Sequence, residues 1–358
     1  MKKKIQNDGS TTGAVKVHRF NFAWCVAQVL ICLLLSVLSG CSLSGGPRAR
    51  AGHLPTDTIG IAFPNTDNLD GHSYGFSLSE PGGIVYTCRG GHLDLDHIRG
   101  NADNTRWLFK KITKTLSKGR DEFSFKLTGE MSSHKIQFIY PDNWDSEKDK
   151  ERIIEQIAYD TAPYLSHMAT VWHEIQTWFG VHFAVLEPEF NSAFSWEDEY
   201  SNVLGTIIAV EAMKDTGHDF NEAVDIALNK WLTKLEVQPS STAKHASDKV
   251  RGQWYTGNFI PDMKMRNFDI GLDGSITPTI VKGIEGCESA PLSISAPTLD
   301  TLKRYGFSMN YEIKPNVLEQ GSMFKAAGSK KIIPEVHFPI LLDYMKNEAK
   351  KRGDMIDE

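Results

Sequence analysis

Thr161–Gly180 reads TAPYLSHMATVWHEIQTWFG, and its periodicity decides the architecture of the middle of the chain. At roughly 100° per residue, Tyr164, Leu165, Met168, Val171, Trp172, Ile175, Trp178 and Phe179 fall on one broad apolar face. Pro163 suits a first helical turn, capped by Asp160 or Thr161, and Gly180 suits the stop. The other face carries Ser166, His167, Thr170, His173, Glu174 and Thr177. No Lys or Arg occurs from Thr161 to Gly180. A solvated helix face usually carries such charges, so this face is expected against a site or a second packed layer.

Around this segment the pattern continues as helix. Residues 147–160 place Ile153, Ile154 and Ile157 at helical spacing, with a break expected at Pro163. Ser195-x-x-Asp198 reads as a capping arrangement opening a helix to about Lys214, and Asn221–Leu235 forms another. Asp198, Ser201, Asn202, Gly205 and Ala209 share one stripe of this helix, small enough for a neighbouring helix to approach closely. A last helix is expected over Phe338–Lys351. Towards the front, Ile59–Phe63 and Ile84–Thr87 are strand-like runs bounded by turn residues. Phe123–Leu127 and Lys135–Tyr140 suit a hairpin around Gly129, with Asp96–Ser117 a helix before them. Asp273-Gly274 within Phe268–Val281 is a tight-hairpin signal. Strands first, helices next and a small sheet late predict an α+β fold, with mixed small sheets packed on a mainly helical central region.

The N-terminus carries an address. Lys2, Lys3, Lys4, Lys16 and Arg19 precede an apolar run from Phe20 to Leu38, which ends in Leu38-Ser39-Gly40-Cys41. This is a secretory signal pattern, and its terminal cysteine resembles the lipobox of bacterial lipoproteins. The organisation expected is a signal peptide over 1–40, then lipidated Cys41 with a Gly/Ser/Pro-rich flexible tether to residue 57, then one large globular domain over 58–358. Ser42 rather than Asp after the cysteine points to the periplasmic face of the outer membrane. The whole chain of 358 residues has a formal net charge of −6. Loss of five basic residues and one acidic residue with the signal leaves 34 Lys+Arg against 44 Asp+Glu. So acidic a chain, without a basic stripe, is expected to bind the membrane through its lipid and not to bind nucleic acid. Cys88 and Cys287 remain as a pair, for which an oxidising compartment favours a disulfide over two free thiols.

Three segments could carry chemistry. In the first, Gly90-Gly91-His92-Leu93-Asp94-Leu95-Asp96-His97, two His and two Asp follow a strand and a Gly-Gly turn, and can present N and O ligands for zinc, manganese or iron. In the second, His173-Glu174 resembles the opening of the zinc-peptidase motif His-Glu-x-x-His, but Thr177 stands where the second His belongs, which excludes the standard metallopeptidase. The third is Phe194–Thr206, where Glu197 or Asp198 could ligate a metal or orient His173. There is no Gly-x-Ser-x-Gly elbow, no Gly-x-Gly-x-x-Gly and no P-loop. Together, CRGGHLDLDHIRGNAD (88–103), HEIQTWFG (173–180) and FSWEDEYSNVLGT (194–206) resemble a family of exported bacterial lipoproteins whose central domain has no assigned function. The resemblance implies one folded unit and brings no reaction with it.

Two functions are therefore expected. One is a divalent-metal-dependent hydrolase of an envelope component, with His92, His97, His173 and Asp198 holding one metal, zinc first, and Glu174 or Asp96 as base. The alternative is a non-catalytic envelope lipoprotein that binds a partner protein, glycan or lipid.

Overall fold

A computed structural model describes residues 46–56, 63–75, 77, 79–128, 130, 132–180, 192–258, 261–315 and 321–357. The leader 1–40, Cys41, most of the Ile59–Phe63 run and the Gly129 turn lie outside the described residues.

A four-residue strand is the first regular element among the described residues. β1 (Ile84–Thr87) turns through Gly91 into β2 (Gly91–Asp94), an antiparallel pair whose residues are all buried. Gly91 has φ +67°, and a Cβ there would overlap the Thr279 carbonyl, so the turn requires glycine twice over. β2 runs directly into α1 (Leu95–Leu116). Asp94 caps that helix by accepting from the Asp96 and His97 amides.

After α1 the chain forms β3 (Glu122–Phe125) and β4 (Ser133–Ile139), and then α2 (Lys150–Trp178). α2 passes through Pro163 without stopping, where the sequence predicts a break. Proline removes one amide donor and crowds the previous turn. Burial of Ile157, Ala158, Ala162 and Leu165 on either side holds the helix together across it.

α3 (Asp198–Lys214), α4 (Phe220–Lys234) and α5 (Ser240–Val250) follow. β5 (Met265–Asn267), β6 (Ser275–Ile276), β7 (Ile294–Ser295), α6 (Asp300–Arg304), β8 (Ser308–Lys314), α7 (Gly321–Ala327), α8 (Pro334–Arg352) and β9 (Met355–Asp357) complete the order. β8 joins β4 to give the antiparallel order β3-β4-β8, and β9 pairs in parallel with β5. β6 pairs with β7, nineteen residues on, so Asp273-Gly274 makes a turn but not the local hairpin its dipeptide signals. The fold is α+β, with small sheets around a helical centre. Ser42–Glu358 form one compact unit, and no helix among the described residues is long and apolar enough to cross a membrane.

α3 is the buried centre. Every residue from Asp198 to Thr206 is buried. At Gly205 the helix lies against α1 so closely that a Cβ would overlap the Ile98 carbonyl oxygen and press on Asn101 Cβ. One side is filled by Leu93, Leu95, Ile98, Val203, Leu204, Ile208 and Trp231. On the other, α2 packs with the β3-β4-β8 sheet and α8 around Trp172, Ile136, Ile313 and Phe338. The polar face of α2 turns inward, as a second packed layer: Ser166 Oγ donates to Asn101 Oδ1 (3.0 Å), while Asn101 Nδ2 donates to Asn202 Oδ1 (2.8 Å). Three helices thus meet on one satisfied amide.

Cys88, just after β1, is disulfide-bonded to Cys287 with Cα atoms 4.8 Å apart across 199 residues of sequence. Opening so long a loop in the unfolded chain removes a large constraint. Replacing both cysteines with serine should cost about 2–5 kcal/mol in urea unfolding; an unchanged midpoint would show the bridge to be energetically idle. Gly205→Val should be worse tolerated than Gly252→Val, where a Cβ would meet nothing within 4 Å. We expect a loss on the order of 3 kcal/mol or more beyond the strain at Gly252, because backbone and not a flexible side chain must yield.

Candidate functional site

The site assembles where β2, α1, α3 and the centre of α2 converge. Asp94 ends β2, with its own amide donating to Ser201 Oγ of α3 (3.0 Å). One turn into α1, His97 directs Nδ1 to Asp198 Oδ1 at 3.2 Å and to Asp94 Oδ2 at 3.8 Å. Asp198 is held by the Ser195 amide (2.8 Å) and hydroxyl (3.0 Å), both on Oδ2, leaving Oδ1 towards His97. The Ser195-x-x-Asp198 spacing delivers the reciprocal half of a capping box, with Asp198 accepting from the Ser195 amide, although the helix itself begins at Asp198 with Glu197 at the cap position. Glu174 Oε2 accepts from the Phe194 amide (2.8 Å), so α2 is tied to the segment leading into α3.

Two residues of this neighbourhood escape a sequence reading. Glu199 is fully buried and neither carboxylate oxygen has a hydrogen bond; its nearest ion partner is His167 Nδ1 at 3.7 Å. The run Trp196-Glu197-Asp198-Glu199-Tyr200, acids between aromatics, was the available signal that these acids are interior. The other is His53, from the segment whose composition reads as a flexible tether. Residues 46–56 instead lie along the cluster. The His53 amide donates to Asp94 Oδ2, its ring Nδ1 lies 3.2 Å from Asp96 Oδ2 and 3.9 Å from Asp94 Oδ1, and a Cβ on the preceding Gly52 would overlap the His97 imidazole. Nothing in the local sequence around His53 signals that contact, which depends wholly on the chain folding back. His53, Asp94 and Asp96 each offer a ligand atom within 4.8 Å of the others, a His/Asp/Asp group able to hold a metal ion.

Two expected ligands stand elsewhere. His173 is exposed, because Glu174 takes the inward position and its neighbour, about 100° around the helix, points out. His92 is buried beside the cluster but turned from it. Its Nδ1 accepts from Trp196 Nε1 (3.3 Å), Nε2 lies 3.4 Å from the Ala243 carbonyl, and Tyr86 packs edge-on at 4.9 Å. Both ring nitrogens are engaged in the core: alternation along β2 would place His92 and Asp94 on one face, but the strand ends at Asp94, whose carboxylate turns to cap α1 and so parts from His92. Asp96 is half-buried, and its Oδ2 accepts from the Gly83 amide (3.1 Å) as well as facing His53.

The electrostatics are one-sided. Among the described residues, every ion-pair partner of Asp94, Asp96, Asp198 and Glu199 is a histidine. Buried carboxylates without a matching cation are costly, and the site responds by shifting protons. Burial, then Asp198, pushes Glu197 well above the carboxylate range. Burial, reinforced by Glu174, Asp198 and Asp269, does the same to Glu199. Hydrogen bonds to Asp94 and then Asp96 raise His53 to about 10. Burial opposes charge on His97, yet Asp94, Asp198 and Glu174 together hold it well above its ordinary value. The upward shifts of His53, His97, Glu197 and Glu199 all favour holding protons, which offsets the carboxylate excess.

The family model described as "Protein of unknown function (DUF4056)" matches residues 56–278, and the chain belongs to that family. The match spans β1 to β6 and includes all of the cluster but His53. No curated protein and no solved structure matches the chain.

His92 supplies a test of its core placement. Burial depresses it to about 4, against the Ala243 carbonyl, whereas the unfolded value is near 6.5. A depressed folded value means that acid favours the unfolded chain: the contribution is intact above pH 6.5 and drains as pH falls towards 4. His92→Phe should therefore flatten the pH dependence of unfolding free energy in that window by up to about 1.4 kcal/mol per pH unit, whatever it does to absolute stability. A slope identical to the parent protein would place His92 in contact with solvent.

Proposed function

We propose that this protein is an exported lipoprotein, held by a lipidated Cys41 at the periplasmic face of the outer membrane, whose His/Asp/Glu cluster binds one divalent cation and hydrolyses an envelope component. The observation that carries the metal reading is the buried carboxylate excess around His97: Asp94, Glu197, Asp198 and Glu199 are at most 4% exposed, and no lysine or arginine ion pair is recorded for any of them among the described residues. A cation settles such a site without drawing protons from solution.

The donor set, imidazole nitrogen with carboxylate oxygen, suits zinc, with manganese and iron as further fits. His53, Asp94 and Asp96 offer ligand atoms within 4.8 Å of one another, and His97, 3.8 Å from Asp94 and 3.2 Å from Asp198, extends the donors inward from Asp94. Zinc in a three-ligand site supplies a bound water with pKa near 7. With a metal held there, Glu174, tied to the Phe194 amide and charged towards His97, would serve as the base for the bound water's proton, and Glu199, which burial holds well above the ordinary carboxylate range, would be the group able to donate to a leaving group. The signal-peptide pattern, the lipobox cysteine and the disulfide pair support the extracytoplasmic setting.

The test is metal content. Full-length protein purified without chelator or affinity metal should carry about one equivalent of zinc per chain, lost in Asp94→Ala and His97→Ala and kept in His173→Ala. Glu174→Gln should keep the metal and lose 10²–10⁴-fold of whatever ester or peptide hydrolysis the parent shows, the usual span for a general base. Cooperatively folded protein without bound metal, and with no affinity for added zinc, would overturn the metal reading and leave the partner-binding function in its place.

A further inference from the structure

Residues 46–56 (GPRARAGHLPT) contain no helix or strand, yet they are held along their whole length by side chains from distant parts of the chain. Thr128 Oγ1 donates to the Pro47 carbonyl (2.6 Å) at one end, and Ser247 Oγ donates to the Pro55 carbonyl (2.8 Å) at the other. Arg50 enters a pocket with its side chain only 3% exposed. There its guanidinium meets Glu80, Asp103 Oδ2 (2.7 Å) and the Ser73 carbonyl (3.0 Å), and His72 braces both acids at 3.1 Å. Arg48 adds a second contact to Glu80 and one to the Ser77 carbonyl (3.2 Å). Between these anchors Gly52 passes over the His97 imidazole and the His53 amide donates to Asp94. Ala49, Ala51 and Gly52 are exposed on the outer side, so the segment lies in an open groove and is not threaded through the core.

This is how a protein holds an extended peptide: backbone groups bonded at intervals, one charged side chain in a closed pocket, and the point of closest approach over reactive groups. We propose that the groove under residues 46–56 is a binding groove for an extended peptide with a cationic side chain, and that the chain's own segment fills it in cis. The Glu80/Asp103 pocket reads the cation. The backbone two residues towards the C-terminus then lies over His97, where nothing larger than glycine fits beneath the seated chain. Ligand access to the cluster thus requires residues 46–56 to leave, taking His53 with them and leaving Asp94, Asp96, His97 and Asp198 in place, and the departing segment is a competitor at high effective concentration because it is covalently attached. The inference takes the cluster around His97 as the working site and so rests on the function proposed above.

The test uses full-length protein and a fluorescent peptide of sequence GPRARAGHLPT. Gly52→Val forces a side chain against His97 and unseats the cis segment while leaving the Arg50 pocket intact. This variant should bind the peptide at least tenfold more tightly than the parent, whose groove is filled. A peptide with Gln in place of Arg50 should bind it tenfold or more weakly, since it removes the guanidinium that Glu80 and Asp103 share. Arg50→Gln in the protein is the second variant: it empties the pocket in cis and should likewise admit the Arg-containing peptide. Zinc content is measured on the same preparations. Metal present and no peptide bound by either cooperatively melting variant would overturn the groove and spare the metal reading. Peptide bound with Arg dependence in metal-free protein would uphold the groove and overturn the metal reading alone. Equal binding of the Arg and Gln peptides would overturn the cation pocket, and with it the proposal.

Discussion

Everything at the site depends on α1 and α3 coming close enough for Gly205 to rest on the Ile98 carbonyl. Asp94 and His97 belong to the start of one helix, Asp198 and Glu199 to the start of the other. Only a glycine-width separation lets Asp198 Oδ1 reach His97 Nδ1 at 3.2 Å and lets Asn202 meet Asn101 at 2.8 Å. The same contact places Ser201 to accept from the Asp94 amide, which sets the direction in which β2 enters α1. Packing and site geometry are here one constraint, so a change at the crossing should be felt in both.

The second constraint is charge. A helix pair this tight excludes water from its interface, and the acids at its N-terminal ends gain from the helix dipoles only part of what they lose in solvation. The remainder is eased by upward shifts at His53, His97, Glu197 and Glu199, which favour their protonated forms. Contrast the network around Arg50, Arg99, Glu80, Asp103 and His72, a few residues away, where buried acids are matched by guanidinium groups and carbonyl acceptors. Two buried acidic clusters lie side by side, one answered by arginine and one without it. That difference separates an ion network satisfied by arginine from a carboxylate cluster whose ion-pair partners among the described residues are histidines.

The arginine-matched network also fastens residues 46–56 across the other cluster. Composition alone makes this segment a linker: Gly, Pro, Ala and isolated charge, with no periodicity. Its fixed path comes from Arg48 and Arg50 finding Glu80 and Asp103, residues 30 or more positions away, and from two hydroxyls that capture its carbonyls. No local feature of GPRARAGHLPT carries that information.

The periodicity of the chain determined its class and its main helices and strands, but not the continuity of α2 through Pro163 or the pairing of β6. The inward polar face of α2, the small-residue stripe of α3, the β1 strand and the final helix are all legible in spacing, because helical and extended repeats sort side chains by face before any tertiary contact forms. The short apolar runs and the separate helical stretches led to α+β in the same way. Tertiary structure alone decided which polar residues meet. His173 and Glu174 are neighbours in sequence, yet one is exposed and the other buried; His92 and Asp94 sit on one strand, yet the first is absorbed by Trp196 and Ala243 while the second caps a helix and faces His97. Pro163 marks a break locally, and burial on both sides overrides it. The reason is the same in each case: a side chain's direction is set by its own helix or strand, but its partner is set by whichever element packs against that face, and contacts across a hundred residues leave no mark in the local pattern.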